Sequence, residues 1–158
     1  MNDGAAMKVA VGADSKGFAL KEYLKQYLSG QGVEVVDFGA HSAESSDYPD
    51  YGRPVAEAVA SGKVDRGLTI CWTGNGMNIV ANKVRGIRAA LAMNPEMAQL
   101  ARAHNNANVL SLAAKYTTEA DARAIIDLFL KTPFDGGRHQ RRVEKISAIE
   151  DSGQRIRP

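Results

Sequence analysis

Cys71 closes a short apolar run and is followed at once by Trp72-Thr73-Gly74-Asn75-Gly76. A thiol in that place has a glycine-rich turn beside it, and the turn opens a helix. The two glycines let the backbone approach a ligand closely, and successive N–H groups at a helix start bind an anion or an enolate-like oxygen. The same helix end favours a thiolate over a thiol. The residue types leave a second reading open, in which Cys71 is an inert, small, buried hydrophobe at a strand end. His104 stands ahead of Asn105-Asn106-Ala107-Asn108. Histidine moves protons near neutral pH, and it equally caps the carbonyls of a preceding helix. Arg138 and Arg142 are four apart and so share one helical face. Two guanidiniums on one face suit a phosphate, or they form an ordinary solvated basic face. Asp47-Tyr48-Pro49 reads as a helix entry with proline in the first turn.

Other signatures fail on single residues. Gly12-Ala13-Asp14-Ser15-Lys16-Gly17 has the glycine spacing of a P-loop, but Phe18 stands where lysine is required. Gly74-Asn75-Gly76 begins like a dinucleotide fingerprint, but Ile79 replaces the third glycine and Arg88 lies where an acidic residue belongs. A cysteine phosphatase needs an arginine soon after its nucleophile, and Met77 stands there. His41, His104, His139 and Cys71 are scattered along the chain without ligand spacing, so no metal site is expected.

The elements that must position these groups follow from periodicity. Short apolar runs predict strands over 8–12, 33–38, 67–71, 87–91 and 108–112. Residues 17–30 carry Leu20, Leu24, Tyr27 and Leu28 at helical spacing. Further helices are expected over 48–61, from the Gly76 turn to about 84, over 95–103 and over 118–130, and 140–149 in the charged tail also reads as helical. Pro54 falls inside the second helix and should cost it one hydrogen bond. Strands alternating with helices demand a parallel sheet with right-handed crossovers. The expected architecture is an α/β, Rossmann-like three-layer sandwich, with five parallel strands and helices on both faces. Ligands bind such sheets outside the carboxyl ends of the strands, so Asp14, Ser15, Cys71 to Gly76 and the loops after Leu91 should face one crevice.

Composition narrows the class. Twenty Lys and Arg against eighteen Asp and Glu leave +2 over 158 residues, which gives no electrostatic case for nucleic acid or an anionic membrane surface. No apolar run is long enough to cross a bilayer, and the first residues, MNDGAAMKV, lack a signal core. One cysteine excludes an internal disulfide and fits a reducing cytoplasm. One domain over 1–158 is expected, with 1–6 as an N-terminal extension and 134–158 as a tail.

Taken together, these residues resemble the ribose-5-phosphate isomerase B family, the group that includes galactose-6-phosphate isomerase subunits. The resemblance runs from Met7 to about Glu150. Its motifs are Gly12-Ala13-Asp14, Ser46-Asp47-Tyr48-Pro49, Val64-Asp65-Arg66-Gly67, Ile70 through Gly76, Ala81 through Ala89, His104 through Val109, and Gly136 through Val143. The resemblance implies a cofactor-free aldose–ketose isomerase of a phosphorylated sugar. Cys71 matches the base that shuttles a proton between C1 and C2 through an enediol. One branch of the family carries a glutamate at the place of Met77, and this chain looks like the cysteine branch. His104 matches the residue that opens the sugar ring, and Thr73, Gly74, Asn75 and Gly76 match the loop that holds the enediolate oxygens. Asn105, Arg138 and Arg142 match substrate positions, the arginines for phosphate. Asp14 and Ser15 of the crevice, Tyr48 of the Ser46-Asp47-Tyr48-Pro49 motif and Trp72 beside Cys71 are further substrate-binding candidates. Family members are dimers or tetramers whose sites are built from two subunits, so the tail is expected to reach a neighbour.

Three positions depart from the family pattern: Ser15 replaces a histidine, Trp72 a glycine, and Lys115 an arginine. Ser15 removes an imidazole, Trp72 adds bulk beside the reacting carbons, and Lys115 offers the phosphate a point charge in place of a fork. The expected reaction is ribose 5-phosphate to ribulose 5-phosphate. Allose or galactose 6-phosphate, or a tetrose phosphate, is the alternative substrate, and a non-catalytic sugar-phosphate binding module is the alternative class.

Overall fold

The computed structural model describes residues 4–152; residues 1–3 of the expected extension and 153–158 of the expected tail lie outside the described residues. The chain runs β1 (Lys8–Ala13), α1 (Phe18–Gly30), β2 (Glu34–Asp37), α2 (Pro49–Ala60), β3 (Arg66–Cys71), α3 (Asn75–Asn82), β4 (Ala89–Leu91), α4 (Pro95–Asn105), β5 (Val109–Ala113), α5 (Glu119–Lys131) and α6 (Arg138–Asp151). The strands form one sheet in the order β2-β1-β3-β5-β4, and every neighbouring pair is parallel. This is the five-stranded α/β sandwich that the alternation demands.

Strand residues of alternate parity feed two cores. Val9, Val11, Leu68, Ile70, Leu110 and Leu112 pack on Leu20, Leu24 and Leu28 of α1, on Ala98 and Ala101 of α4, and on Ile125, Ile126 and Phe129 of α5. The opposite face carries smaller strand residues, Ala10 and Val109, beneath Val55 and Ala56 of α2 and Ala81 of α3. α6 packs on α4.

Local detail meets the sequence reading at Pro54 and departs from it at some element ends. α2 passes through Pro54 as expected; the missing bond falls on the carbonyl of Asp50, an exposed residue of the first turn. The fourth strand is short, because Arg88 N–H donates to Asn108 Oδ1 at 2.8 Å in place of a ladder partner. α6 begins at Arg138, two residues before the expected start, because Gly136 and Gly137 take φ of 67° and 53° and turn the chain directly into the helix.

One buried charge braces the sheet edge. Lys21 is fully buried, and its Nζ donates to both Asp37 oxygens, at 2.8 and 2.9 Å, and to the Ala40 carbonyl at 2.5 Å. Burial alone would raise the Asp37 carboxyl, but Lys21, Lys25 and the Gly39 N–H outweigh it and hold the carboxyl below its ordinary range.

Candidate functional site

The carboxyl ends of β1 and β3 lie side by side, since Ala13 pairs with Ile70. Connections depart to opposite sides of the sheet from these two strands, which is where an open α/β sheet leaves a crevice. Asp14 and Cys71 emerge there together. Cys71 is 5% exposed and pairs with Ala113 of β5. Two residues below it on the same strand face, Thr69 and Ser111 are fully buried and satisfy each other through a 2.9 Å hydroxyl hydrogen bond. Asp14 is fixed by its own turn: its N–H donates to the Ile70 carbonyl at 3.2 Å and its Oδ1 accepts from Gly17 N–H at 2.8 Å. Ser15 sits half-buried in that turn.

The turn after Cys71 is shaped by its glycines. Gly74 has φ 79°, a left-handed conformation, and a side chain there would strike Leu91 and the Leu112 carbonyl. Gly76 lies under the Tyr48 ring, whose Cζ would be 2.7 Å from an added Cβ. Tyr48 thus walls one side of the α3 start. Gly74 caps α3 without a side-chain hydrogen bond, so the first-turn N–H groups near Thr73, Asn75 and Gly76 keep their donors for a ligand. Trp72 is half exposed, with Lys16 Nζ 5.6 Å and Lys115 Nζ 5.9 Å from its ring centroid. The indole therefore lies between cations contributed by the loops after β1 and β5. Lys16 is a cation of this edge that spacing did not single out.

His104 is elsewhere. α4 runs back from the carboxyl end of β4 to the amino end of β5, so His104 and Asn105, in its last turn, belong to the opposite edge. The ladder from Gly67–Val109 to Cys71–Ala113 separates the two edges by about 13 Å of strand. Within one chain the structure therefore does not bring His104 to Cys71. Arg102 secures the end of α4: it donates to the Ala107 carbonyl at 2.5 Å, Asn106 Oδ1 at 2.9 Å and the Thr132 carbonyl at 3.3 Å. Burial, with Arg66 and Arg88 nearby, lowers its guanidinium to about 10. Asn105 is exposed, and its carbonyl accepts from Arg88 Nε at 3.0 Å.

α6 brings its amino end to this same edge. Its His139 ring stacks on His104, with centroids 4.3 Å apart and planes 10° from parallel. His104, Asp135 and His139 each offer a ligand atom within 4.8 Å of the others. The histidines that look scattered in sequence are thus two-thirds gathered, which sequence spacing had no means of showing, since the contact joins two helices through tertiary packing. Arg138 and Arg142 flank His139, exposed, one turn apart. Lys115, read as their helper, instead follows β5 at the edge that holds Cys71. Beside this group a cavity of about 420 Å³ opens between the end of α3, β4 and α6, lined by Asn82, Ile87, Ala89, Asn105, Ile146 and Ile149. Among the described residues no helix is long and apolar enough to cross a membrane.

Comparison with known proteins gives a consistent result. A family model described as Ribose/Galactose Isomerase matches residues 9–146. The ribose-5-phosphate isomerase B of Escherichia coli is 48% identical over 143 residues, 90% of this chain and 96% of that protein. The ribose-5-phosphate isomerase B structure of Clostridium thermocellum superposes with a TM-score of 0.91 at 50% identity, covering 92% of this chain and 99% of that one. The Mycoplasma genitalium enzyme with bound ribulose-5-phosphate gives 0.89 at 40% identity, covering 92% and 97%.

Proposed function

The chain belongs to the ribose/galactose isomerase family of sugar-phosphate aldose–ketose isomerases, and on that premise we propose that it interconverts ribose 5-phosphate and ribulose 5-phosphate. The observation that carries this reading is the pairing of Cys71 with the uncapped start of α3 at one point of the carboxyl edge. Isomerisation needs one base reaching two adjacent carbons and donors for the oxygens between them. Cys71, as thiolate, takes the proton from C2 of the open aldose while the C1 oxygen gains one, giving the cis-enediol. The C2 hydroxyl then loses its proton and Cys71 returns its own to C1. Thr73 and the N–H groups of Gly74, Asn75 and Gly76 hold the oxygens, with Asp14, Ser15, Tyr48 and Trp72 around the sugar.

Ring opening and phosphate binding fall to the other edge: His104 as the acid for the ring oxygen, Asn105 on the sugar, Arg138 and Arg142 on the phosphate, with Lys115 from the Cys71 side. A second copy supplies them. Two copies related by a two-fold axis, each laying its amino edge on the other's carboxyl edge, complete two sites at once. Met97 and Leu100, exposed and three apart on α4, offer apolar surface for such a contact. The proposed protein is one domain whose tail from 134 contacts its neighbour, assembled as a homodimer or a dimer of dimers. A lone cysteine suits the reducing cytoplasm.

The test is a screen of phosphorylated aldoses and ketoses of four to six carbons in deuterated water. The reading expects ribose 5-phosphate to turn over fastest, with solvent deuterium at C1 of the ribulose 5-phosphate formed and at C2 of the ribose 5-phosphate re-formed from it. Faster turnover of a hexose 6-phosphate or tetrose phosphate replaces the substrate. Binding with no exchange on any sugar makes the chain a binding module.

A further inference from the structure

Two imidazoles and a carboxylate meet at the amino edge, and the family pattern assigns a task to only one of them. His104 and His139 are stacked 4.3 Å apart, and Asp135 lies within reach of both. Either a cation or a geometric demand on His104 can account for such a group. A shared cation needs both in-plane lone pairs to converge on one point about 2.0–2.1 Å from each nitrogen. Rings within 10° of parallel send those lone pairs side by side. Arg138 and Arg142 also place positive charge against His139. Neither feature suits a metal.

The stack instead suits orientation. Granting the reading in which His104 opens the sugar ring, we infer that His139 is a positioning residue: its ring face holds the His104 imidazole in the one plane from which a proton reaches the ring oxygen. Several contacts make that plane a fixed one. His139 is 9% exposed, against a half-buried His104. Asp135 N–H donates to the Ala103 carbonyl at 3.0 Å, tying the α6 approach to the last turn of α4. Arg102, in the same stretch of α4, adds bonds to the Thr132 carbonyl of that approach and to the Ala107 carbonyl. The charged and titratable groups facing His139 are His104 from α4, Asp135 from the preceding loop, and Arg138 and Arg142 from its own helix. Burial first, then His104 and the two arginines, hold the His139 imidazole below the ordinary histidine range, against the pull of Asp135.

The experiment uses the difference between the two substrates. Ribose 5-phosphate is a closed ring, whereas ribulose 5-phosphate carries its phosphate on the hydroxyl that would close one and so is open. Solvent deuterium exchange at C1 of ribulose 5-phosphate reads the Cys71 step without ring opening. His139→Leu fills the space without a flat face, and His139→Phe restores the face without a titrating group. The expected result is that His139→Leu lowers kcat on ribose 5-phosphate by up to about a hundredfold, the scale of a catalytic group misplaced by an ångström, while C1 exchange stays within about threefold. His139→Phe recovers most of the loss. Equal losses in both assays mark a merely structural role and overturn the inference; so does no loss, or no rescue by phenylalanine. His104→Ala in the same assays separates the two levels. A ring-opening loss there, with none in His139→Leu, removes only the role of His139, whereas an unselective His104→Ala removes the role of His104 itself.

Discussion

Cys71 and His104 stand at opposite edges of one sheet, Cys71 at the end of β3 and His104 ahead of the start of β5. A reaction that uses both needs two copies of the chain. Cys71→Ser and His104→Ala homodimers should each be inactive. Mixed by dissociation and reassociation, they should regain about a quarter of wild-type activity, because half the dimers are mixed and each mixed dimer has one intact site. No recovery on mixing, with exchange of subunits verified, would place both groups in one chain's site.

Cys71→Ser should abolish turnover and leave folding and phosphate affinity nearly intact, because an alcohol is too weak a base. Thr69 and Ser111 already bond to each other beneath it, so the exchange disturbs no hydrogen-bond network. Iodoacetamide should inactivate the enzyme, with substrate protecting. Retention of more than about a tenth of the rate, a loss under roughly 1.4 kcal/mol, would pass the role of base to a carboxylate such as Asp14.

Arg142→Ala should weaken binding of the phosphorylated sugar by about 2–3 kcal/mol, the scale of a lost hydrogen bond to a charged group. Arg142 is exposed at the end of α6 that carries His139, so thermal unfolding should barely change. Calorimetry showing unchanged sugar-phosphate affinity would return Arg138 and Arg142 to a solvated basic face.

The Lys21–Asp37 pair sets an acid limit. The Asp37 carboxyl sits below its ordinary value in the folded chain, so the unfolded chain binds its proton first as pH falls. Its contribution is fully present above about pH 4 and is lost as pH drops through the depressed folded value. Lys21→Met leaves Asp37 with Lys25 and the Gly39 N–H, and should cost up to about 3–5 kcal/mol, the scale of breaking a buried pair. Urea unfolding at pH 7 and pH 3 should show the mutant's deficit shrinking at the lower pH.

The sequence by itself determined the elements and the chemistry they carry. Helical spacing of Leu20, Leu24 and Leu28 and the unbroken apolar run before Cys71 are local signals, because each reports which face of one element avoids water. Strand–helix alternation then leaves a parallel sheet as the economical way to bury them, and Gly74 and Gly76 announce a turn that only glycine tolerates. The edge at which each residue ends was almost legible, since every crossover helix in such a sheet returns to the amino side. That placement requires knowing that His104 lies in the last turn of α4, and element ends are where periodicity is weakest. Only the tertiary structure decided the contacts between elements distant in sequence: His139 on His104, Tyr48 over Gly76, Lys16 and Lys115 about Trp72, and Lys21 beneath Asp37. The physical reason is that periodicity reports how buried a side chain is, not what it is buried against. Partner identity arises when helices α4 and α6, packed for their apolar faces, happen to carry two imidazoles to the same point.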